Sequence, residues 1–267
     1  MKIITETERL IIREIEASDT DIMLELHSDP EVHLYLGNKT ITNREGIIDA
    51  IKSLGQQYAD FGVGRWAMIN KKTNEFIGWA GLEFVKESIN KHKDFYDLGY
   101  RLLKKFWGQG FATESAFASI DYAFSKLKVQ EIFAIADINN EASNRILKNV
   151  GLGYIESFDN GGVKHNWYKL TSSEYERKKY KYEVLDKICY TELVYGRINK
   201  KLNLELSKRK IEILISTILS ETNESEFQKK GKNIYVTNNE RNIRLTINSY
   251  TNRIITADRL NGKTTNR

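Results

Sequence analysis

Residues 97–112 read Asp-Leu-Gly-Tyr-Arg-Leu-Leu-Lys-Lys-Phe-Trp-Gly-Gln-Gly-Phe-Ala, and they constrain this chain more than any other stretch. A short apolar run from Leu98 to Leu103 stops at Lys104-Lys105. A turn bearing Gly108 and Gly110 follows, and then Ala112, Ala116, Ile120, Ala123 and Leu127 recur on one helical face. Strand, glycine turn and helix start, in that order, predict an anion-binding corner. The turn's N–H groups point outward and the helix dipole favours negative charge. A side chain at the glycines would block close backbone approach or disfavour a positive φ. Taken alone, the same pattern also fits a strand-to-helix turn with no ligand.

Periodicity predicts the elements around this corner. Ile3–Ile15 reads as a first strand, with short helices over Asp21–His27 and from Pro30 to Leu36. Ile47, Ile48, Ile51, Leu54 and Tyr58 predict a longer helix over about 44–60, broken by Gly62-Val-Gly64. Arg65–Asn70 and Phe76–Phe84 form a hairpin pattern, Asp94–Leu103 the next strand, and Glu131–Asp137 another. Asn140–Val150 is helical and closed by Gly151, and Tyr154–Phe158 with His165–Leu170 complete the order as an antiparallel pair.

Three segments together resemble the GNAT N-acetyltransferases over about residues 5–170. The glycine turn is similar to their acyl-coenzyme A pyrophosphate loop, Gln/Arg-x-x-Gly-x-Gly/Ala: Gly110 and Ala112 fit, and Trp107 stands where Gln or Arg would be. That departure, the opening Thr7-Glu8-Arg9-Leu10-Ile11-Ile12-Arg13, and the run Asn140-Glu-Ala-Ser143…Lys148-Asn-Val-Gly151-Leu152 resemble the RimJ/RimL-like branch, with Leu152 replacing its Phe. The resemblance implies an α/β (α+β) GNAT fold, a mixed twisted sheet with helices on both faces.

It also implies acetyl-CoA as co-substrate. Leu102 or Leu103 would turn an N–H to the thioester oxygen, and Gln109, Gly110, Phe111 and Ala112 would ring the pyrophosphate. Lys104 and Lys105 either reach phosphate or sit on a solvated turn. Asn140 would bond the pantetheine arm or cap its own helix, and Ser143 would line the groove. Leu147 stands where many members carry a tyrosine as general acid. A general base must reach the acceptor amine. Asp97 occupies the place of an acidic residue in this branch, and Glu83 is the second candidate. His27, His33, His92 and His165 show no metal spacing and no obvious partner, so no metal site is expected.

Acceptor readings divide between a protein N-terminal α-amine and a small-molecule amine. A different reading is a catalytically degenerate acyl-CoA sensor.

A second domain is expected beyond residue 171. The boundaries read as 1–171 for the acetyltransferase-like domain, 172–181 for a charged linker or the start of a connecting helix, 182–260 for a small basic α+β domain and 261–267 for a disordered tail. From Tyr180 onward about 17 Lys/Arg face about 10 Asp/Glu, so the basic balance belongs to this part. Tyr182–Leu202 and Lys208–Leu219 have helical spacing, and three strands follow at Asn233–Thr237, Ile243–Asn248 and Arg253–Ala257. The region resembles a small bacterial domain of unknown function. Lys208-Arg209-Lys210, Lys229-Lys230 and Lys232 could contact nucleic acid or a partner, or form a solvated basic face. Arg241, Arg244 and Arg253 could hold a small acidic ligand. No apolar run is long enough to span a membrane, and the start lacks a signal-peptide pattern. The lone Cys189 reads as a buried thiol in a reducing, cytoplasmic setting.

Overall fold

The computed structural model describes residues 2–37 and 40–260, so the expected tail at 261–267 lies outside the described residues. The chain divides into two compact units, Met1–Ser172 and Ser173–Arg267.

The first unit is built on an eight-stranded sheet. Its strands are β1 (Ile3–Glu6), β2 (Leu10–Arg13), β3 (Arg65–Asn70), β4 (Phe76–Val85), β5 (Phe95–Leu102), β6 (Glu131–Asp137), β7 (Gly153–Asn160) and β8 (Val163–Thr171). They lie in the order β1-β2-β3-β4-β5-β6-β8-β7. The pairings are antiparallel except β5 with β6. The expected single first strand is two, because the chain doubles back at Thr7–Arg9 and Ile3 pairs with Arg13. Its helices are α1 (Thr20–Ser28), α2 (Pro30–His33), α3 (Arg44–Phe61), α4 (Phe111–Asp121) and α5 (Glu141–Asn149).

Local chemistry sets these helix ends. The Asp29 side chain accepts from Glu31 N ahead of Pro30, and Asn43 accepts from Gly46 N. Gly62 closes α3 at φ 68°, a conformation glycine adopts at little cost. The core is apolar from both faces of the sheet, with Ile12, Trp66, Met68, Ile77, Leu82, Phe133 and Trp167 fully buried or nearly so. One buried ion pair ties the first hairpin to the turn before α1: Arg13 donates from both terminal nitrogens to the two oxygens of Asp19, each at 2.7 Å.

The second unit packs α7 (Glu192–Leu202) and α8 (Lys208–Glu221) with a four-stranded antiparallel sheet. That sheet is β9 (Phe227–Lys230), β10 (Asn233–Asn238), β11 (Ile243–Asn248) and β12 (Ile254–Arg259), in the order β12-β11-β10-β9. Buried and accessible residues alternate along β10 and β11, as a sheet with one covered face requires. Val194, Ile198, Ile215, Phe227, Val236 and Leu245 belong to a core of its own.

Three expectations change here. Residues 172–181 are not a linker; they are the first turns of α6 (Ser172–Lys187). The helical spacing over 182–202 is interrupted because the Cys189 backbone pairs with the chain before β12, its N–H bonding Asn252 O and its carbonyl accepting from Ile254 N. That pairing leaves Cys189 exposed rather than buried. Strand β9 was not expected. After Phe227 its residues are polar and exposed, which suits an edge strand and hides it from an apolar pattern.

Candidate active site

The glycine corner forms as its sequence requires. Gly108 and Gly110 take φ values of 72° and 83°, and Gly110 precedes α4 with no side-chain cap. The first N–H groups of α4 therefore have no intrahelical acceptor and face outward at the positive end of the helix dipole. Arg9, noted in the sequence only as part of the opening motif, completes the corner. Its Nη1 donates to Gln109 O at 2.9 Å, its Nε to Glu114 at 2.6 Å, and its guanidinium lies 4.3 Å from the centre of the Phe111 ring. A Cβ on Gly110 would come within 3.3 Å of that guanidinium. Lys104 and Lys105 bond Glu31 at 2.5 Å and Glu75 at 3.2 Å, so both have carboxylate partners on the surface.

Strand β5 supplies the next part. It pairs with β4 from Val85–Phe95 to Gly78–Leu102, but its register with β6 is Asp97–Phe133 alone. The strands part beyond that point. Leu103 N donates to Ile77 O at 3.0 Å, which removes Leu103 from the expected thioester role. Backbone direction alternates along a strand, so the amides of Leu102 and Tyr100 face the parting instead. The Leu102 carbonyl accepts from Trp107 Nε1 at 2.9 Å, which anchors the turn to the strand.

Across the gap stands α5. Asn140 is its N-cap, accepting from Ser143 N at 3.0 Å, so its oxygen is committed to the helix. Tyr100 Oη lies 3.1 Å from Ser143 Oγ and donates to Ser143 O at 3.2 Å; burial raises the phenol well above its ordinary range. Leu147 is buried. Buried Asn144 accepts from Tyr168 and Asn166 and donates to Asp137 O and Asn140 O, which fixes α5 against β6 and β8.

The opposite face of β4 and β5 carries a charged cluster. Arg65, Gly81 and Gly99 lie side by side in the register, followed by Glu83 and Asp97. A Cβ on Gly99 would meet the Arg65 guanidinium at 2.7 Å, so the glycine makes room for it. Arg65 ion-pairs with Asp97 Oδ2, donates to the Asp97 and Gly81 carbonyls at 2.8 Å, and reaches Glu83 at 3.1 Å. Asp97 is 15% exposed and Glu83 is 46% exposed. Burial pushes the Asp97 carboxyl up to about 6 against the pull of Arg65, and its Oδ1 has no hydrogen-bond partner.

Beside it, Trp79 lies under Arg101, whose Nη1 bonds His27 Nδ1 at 3.0 Å and His33 Nε2 at 3.2 Å. The two histidines expected to stand apart therefore share a partner. Burial, then Arg101, lowers His27 to about 3, and burial, then Arg65, lowers Arg101 to about 10.

Residues 9–153 match the Acetyltransferase (GNAT) domain family. The chain belongs to the GNAT acetyltransferases. Residues 182–258 separately match a family of unknown function, DUF3781. The uncharacterized N-acetyltransferase YoaA of Bacillus subtilis is 30% identical over 177 residues, 66% of this chain and 94% of that protein. The FsC-acetyl coenzyme A-N(2)-transacetylase of Aspergillus fumigatus is 29% identical over 58% of this chain and 66% of that protein. The first unit's fold recurs in RimL, a ribosomal L7/L12 α-N-protein acetyltransferase solved with coenzyme A, with TM-score 0.54 and 19% identity over 64% of this chain and 98% of that one. It recurs as well in spermidine N-acetyltransferase from Vibrio cholerae, with TM-score 0.53 and 16% identity over 64% and 99%.

GNAT enzymes use acetyl-CoA, and the uncapped α4 start, the glycine turn and the parted β5–β6 edge suit its pyrophosphate and amide-rich arm. Arg65, Arg101, His27 and His33 join the candidate site with no signal of it in the sequence. Arg9 was visible in the opening motif, but its place at the turn was not. Among the described residues, no group of three or more His, Cys, Asp or Glu could hold a metal, and no helix is long and apolar enough to cross a membrane.

Proposed function

We propose that the first unit transfers the acetyl group of acetyl-CoA directly to a primary amine, with Asp97 as the general base. Its half-paired, buried carboxyl, raised to about 6, carries this reading. Such a group is ionised at neutral pH and still basic enough to accept a proton from an ammonium through a water. Arg65 fixes its orientation through Oδ2, while Oδ1 is buried and accepts no hydrogen bond, so a lone pair stays available for a proton. Glu83, more exposed and directly opposite Asp97 in the β4–β5 register, has a supporting role.

Gln109, Gly110, Phe111, Ala112 and Arg9 would hold the pyrophosphate, Leu102 the arm, and Asn140 and Ser143 the groove wall. Bound there, acetyl-CoA supplies the thioester acyl group. Tyr100, held at Ser143 on α5 and protonated at working pH, would take the part played elsewhere by a tyrosine at position 147.

Both acceptor types have support among the relatives: RimL acts on a protein α-amine and the Vibrio cholerae enzyme on spermidine. The test is thiol release from acetyl-CoA with a panel of peptide, polyamine and amino-sugar amines. Amine-dependent release supports the reading, and none above the hydrolytic background from a protein that binds acetyl-CoA would contradict it.

A further inference from the structure

Three arginines of the first unit sit in different company. Arg13 bonds both oxygens of Asp19, and Arg65 bonds Asp97 and Glu83. Arg101 has no carboxylate partner among the described residues; its Nη1 is shared between His27 and His33. A guanidinium only donates, so both ring nitrogens it meets must accept, and both rings are neutral. That choice puts the His27 proton on Nε2, which is buried and without a partner. Arg101 Nε is likewise buried and without a partner. With Nη1 occupied and Nε enclosed, Nη2 is the donor left to meet a ligand, and an oxyanion bonded there would also lie beside the unmet Nε–H.

Neighbouring carboxylates are committed elsewhere. Glu31 pairs with Lys104, Asp29 caps α2, and Glu83 and Asp97 belong to Arg65. A half-buried cation with unmet donors and no counter-charge is costly unless something else brings the charge. It also stands on the face that carries the candidate base. Asp97, Gly99 and Arg101 alternate on one side of β5, and the guanidinium carbons of Arg65 and Arg101 lie 5.4 and 4.9 Å from the centre of the Trp79 ring.

We infer that Arg101 determines acceptor specificity by binding a carboxylate or phosphate on the molecule that presents its amine to Asp97. This rests on the proposed acetyl transfer at Asp97. The acceptor is then an amine carrying an oxyanion several bonds away, since roughly 13 Å of strand separates the two Cα atoms. Arg101, with no carboxylate partner among the described residues, disfavours a polycationic acceptor.

The test uses the full chain with four amines: 6-aminohexanoate, 6-aminohexanamide, 6-aminohexyl phosphate and spermidine. Thiol release gives kcat and KM for each. Calorimetry on the coenzyme A-loaded protein gives affinity for 6-aminohexyl phosphate whether or not turnover occurs. At least one oxyanion-bearing amine is expected to exceed the amide in kcat/KM by roughly 10- to 100-fold, chiefly through KM, the size of a charged hydrogen bond. The carboxylate and phosphate arms show which oxyanion the site takes. In Arg101→Gln the ratio should fall to about one, and in Arg101→Lys part of it should return. An amide or spermidine preference in the wild type, or a ratio that survives Arg101→Gln, would overturn the inference. If no amine is acetylated, the acetyl-transfer reading fails. Loss of phosphate binding in Arg101→Gln would then still support the anion site, and no binding to the wild type would overturn it.

Discussion

The two sheets of this molecule use their backbones differently. In the second unit, β10 and β11 pair from Asn233–Asn248 to Asn238–Ile243, and β9 and β12 continue the ladder on either side. Inner-strand amides are consumed there, and the sheet serves as a wall for its helices. In the first unit, β5 is fully paired on the β4 side but meets β6 at one register position before the strands part. A continuous ladder makes a scaffold, whereas an interrupted one keeps backbone donors for a ligand, provided something holds the strands open. Asn144 anchors α5 beside the gap and Trp107 anchors the turn to β5.

The sharpest way to break this contrast is at the glycine corner. Gly110→Asp places a carboxylate beside the expected pyrophosphate at a backbone conformation that disfavours a side chain. Acetyl-CoA affinity by calorimetry should drop about 100-fold or more. Arg244→Glu, on the exposed face of the fully paired sheet, should leave that affinity unchanged. Equal losses, or none, would remove the distinction.

A smaller effect concerns pH. The folded pKa of His27, about 3, lies below its ordinary 6.5. The neutral ring's contribution to stability is therefore complete above pH 6.5 and declines as pH falls from 6.5 towards 3. Denaturant unfolding at pH 7.5 and 5.5 should show on the order of 1 kcal/mol of this loss, allowing for partial exposure. His27→Gln should remove it.

The smallest effect is expected from deleting the second unit altogether. Residues 1–172 include the whole proposed site and a core of their own. This fragment should bind acetyl-CoA within about twofold of the full chain. A folded fragment that binds but no longer acetylates an acceptor used by the full chain would give the second unit a part in the acceptor site.

What the sequence disclosed was local. The turn over 104–111 and the Asn140 cap depend on neighbours a few residues away, and their residue types reveal them. Neither the doubling back between β1 and β2 nor the break at Cys189 depends on local periodicity, because each is set by hydrogen bonds to distant strands. The proposed acceptor face was invisible for the same reason. Positions 27, 33, 65 and 101 meet only because the Arg65–Gly81–Gly99 register and the α1–α2 turn bring them together. Leu102 and Leu103 looked equivalent until one amide was seen to be spent on Ile77.

The most direct measurement is the pH dependence of kcat/KM for thiol release by the wild type and by Asp97→Asn, with acetyl-CoA binding measured alongside. Asn keeps an oxygen for Arg65 and cannot act as a base. The wild-type rate is expected to fall on the acid side with an apparent pKa near 6, following Asp97. The variant should lose about 10²–10⁴ in rate at neutral pH with little change in acetyl-CoA affinity, and the loss should shrink at high pH, where more of the amine is already neutral. A variant that keeps the full rate and the same acid limb would contradict Asp97 as the base.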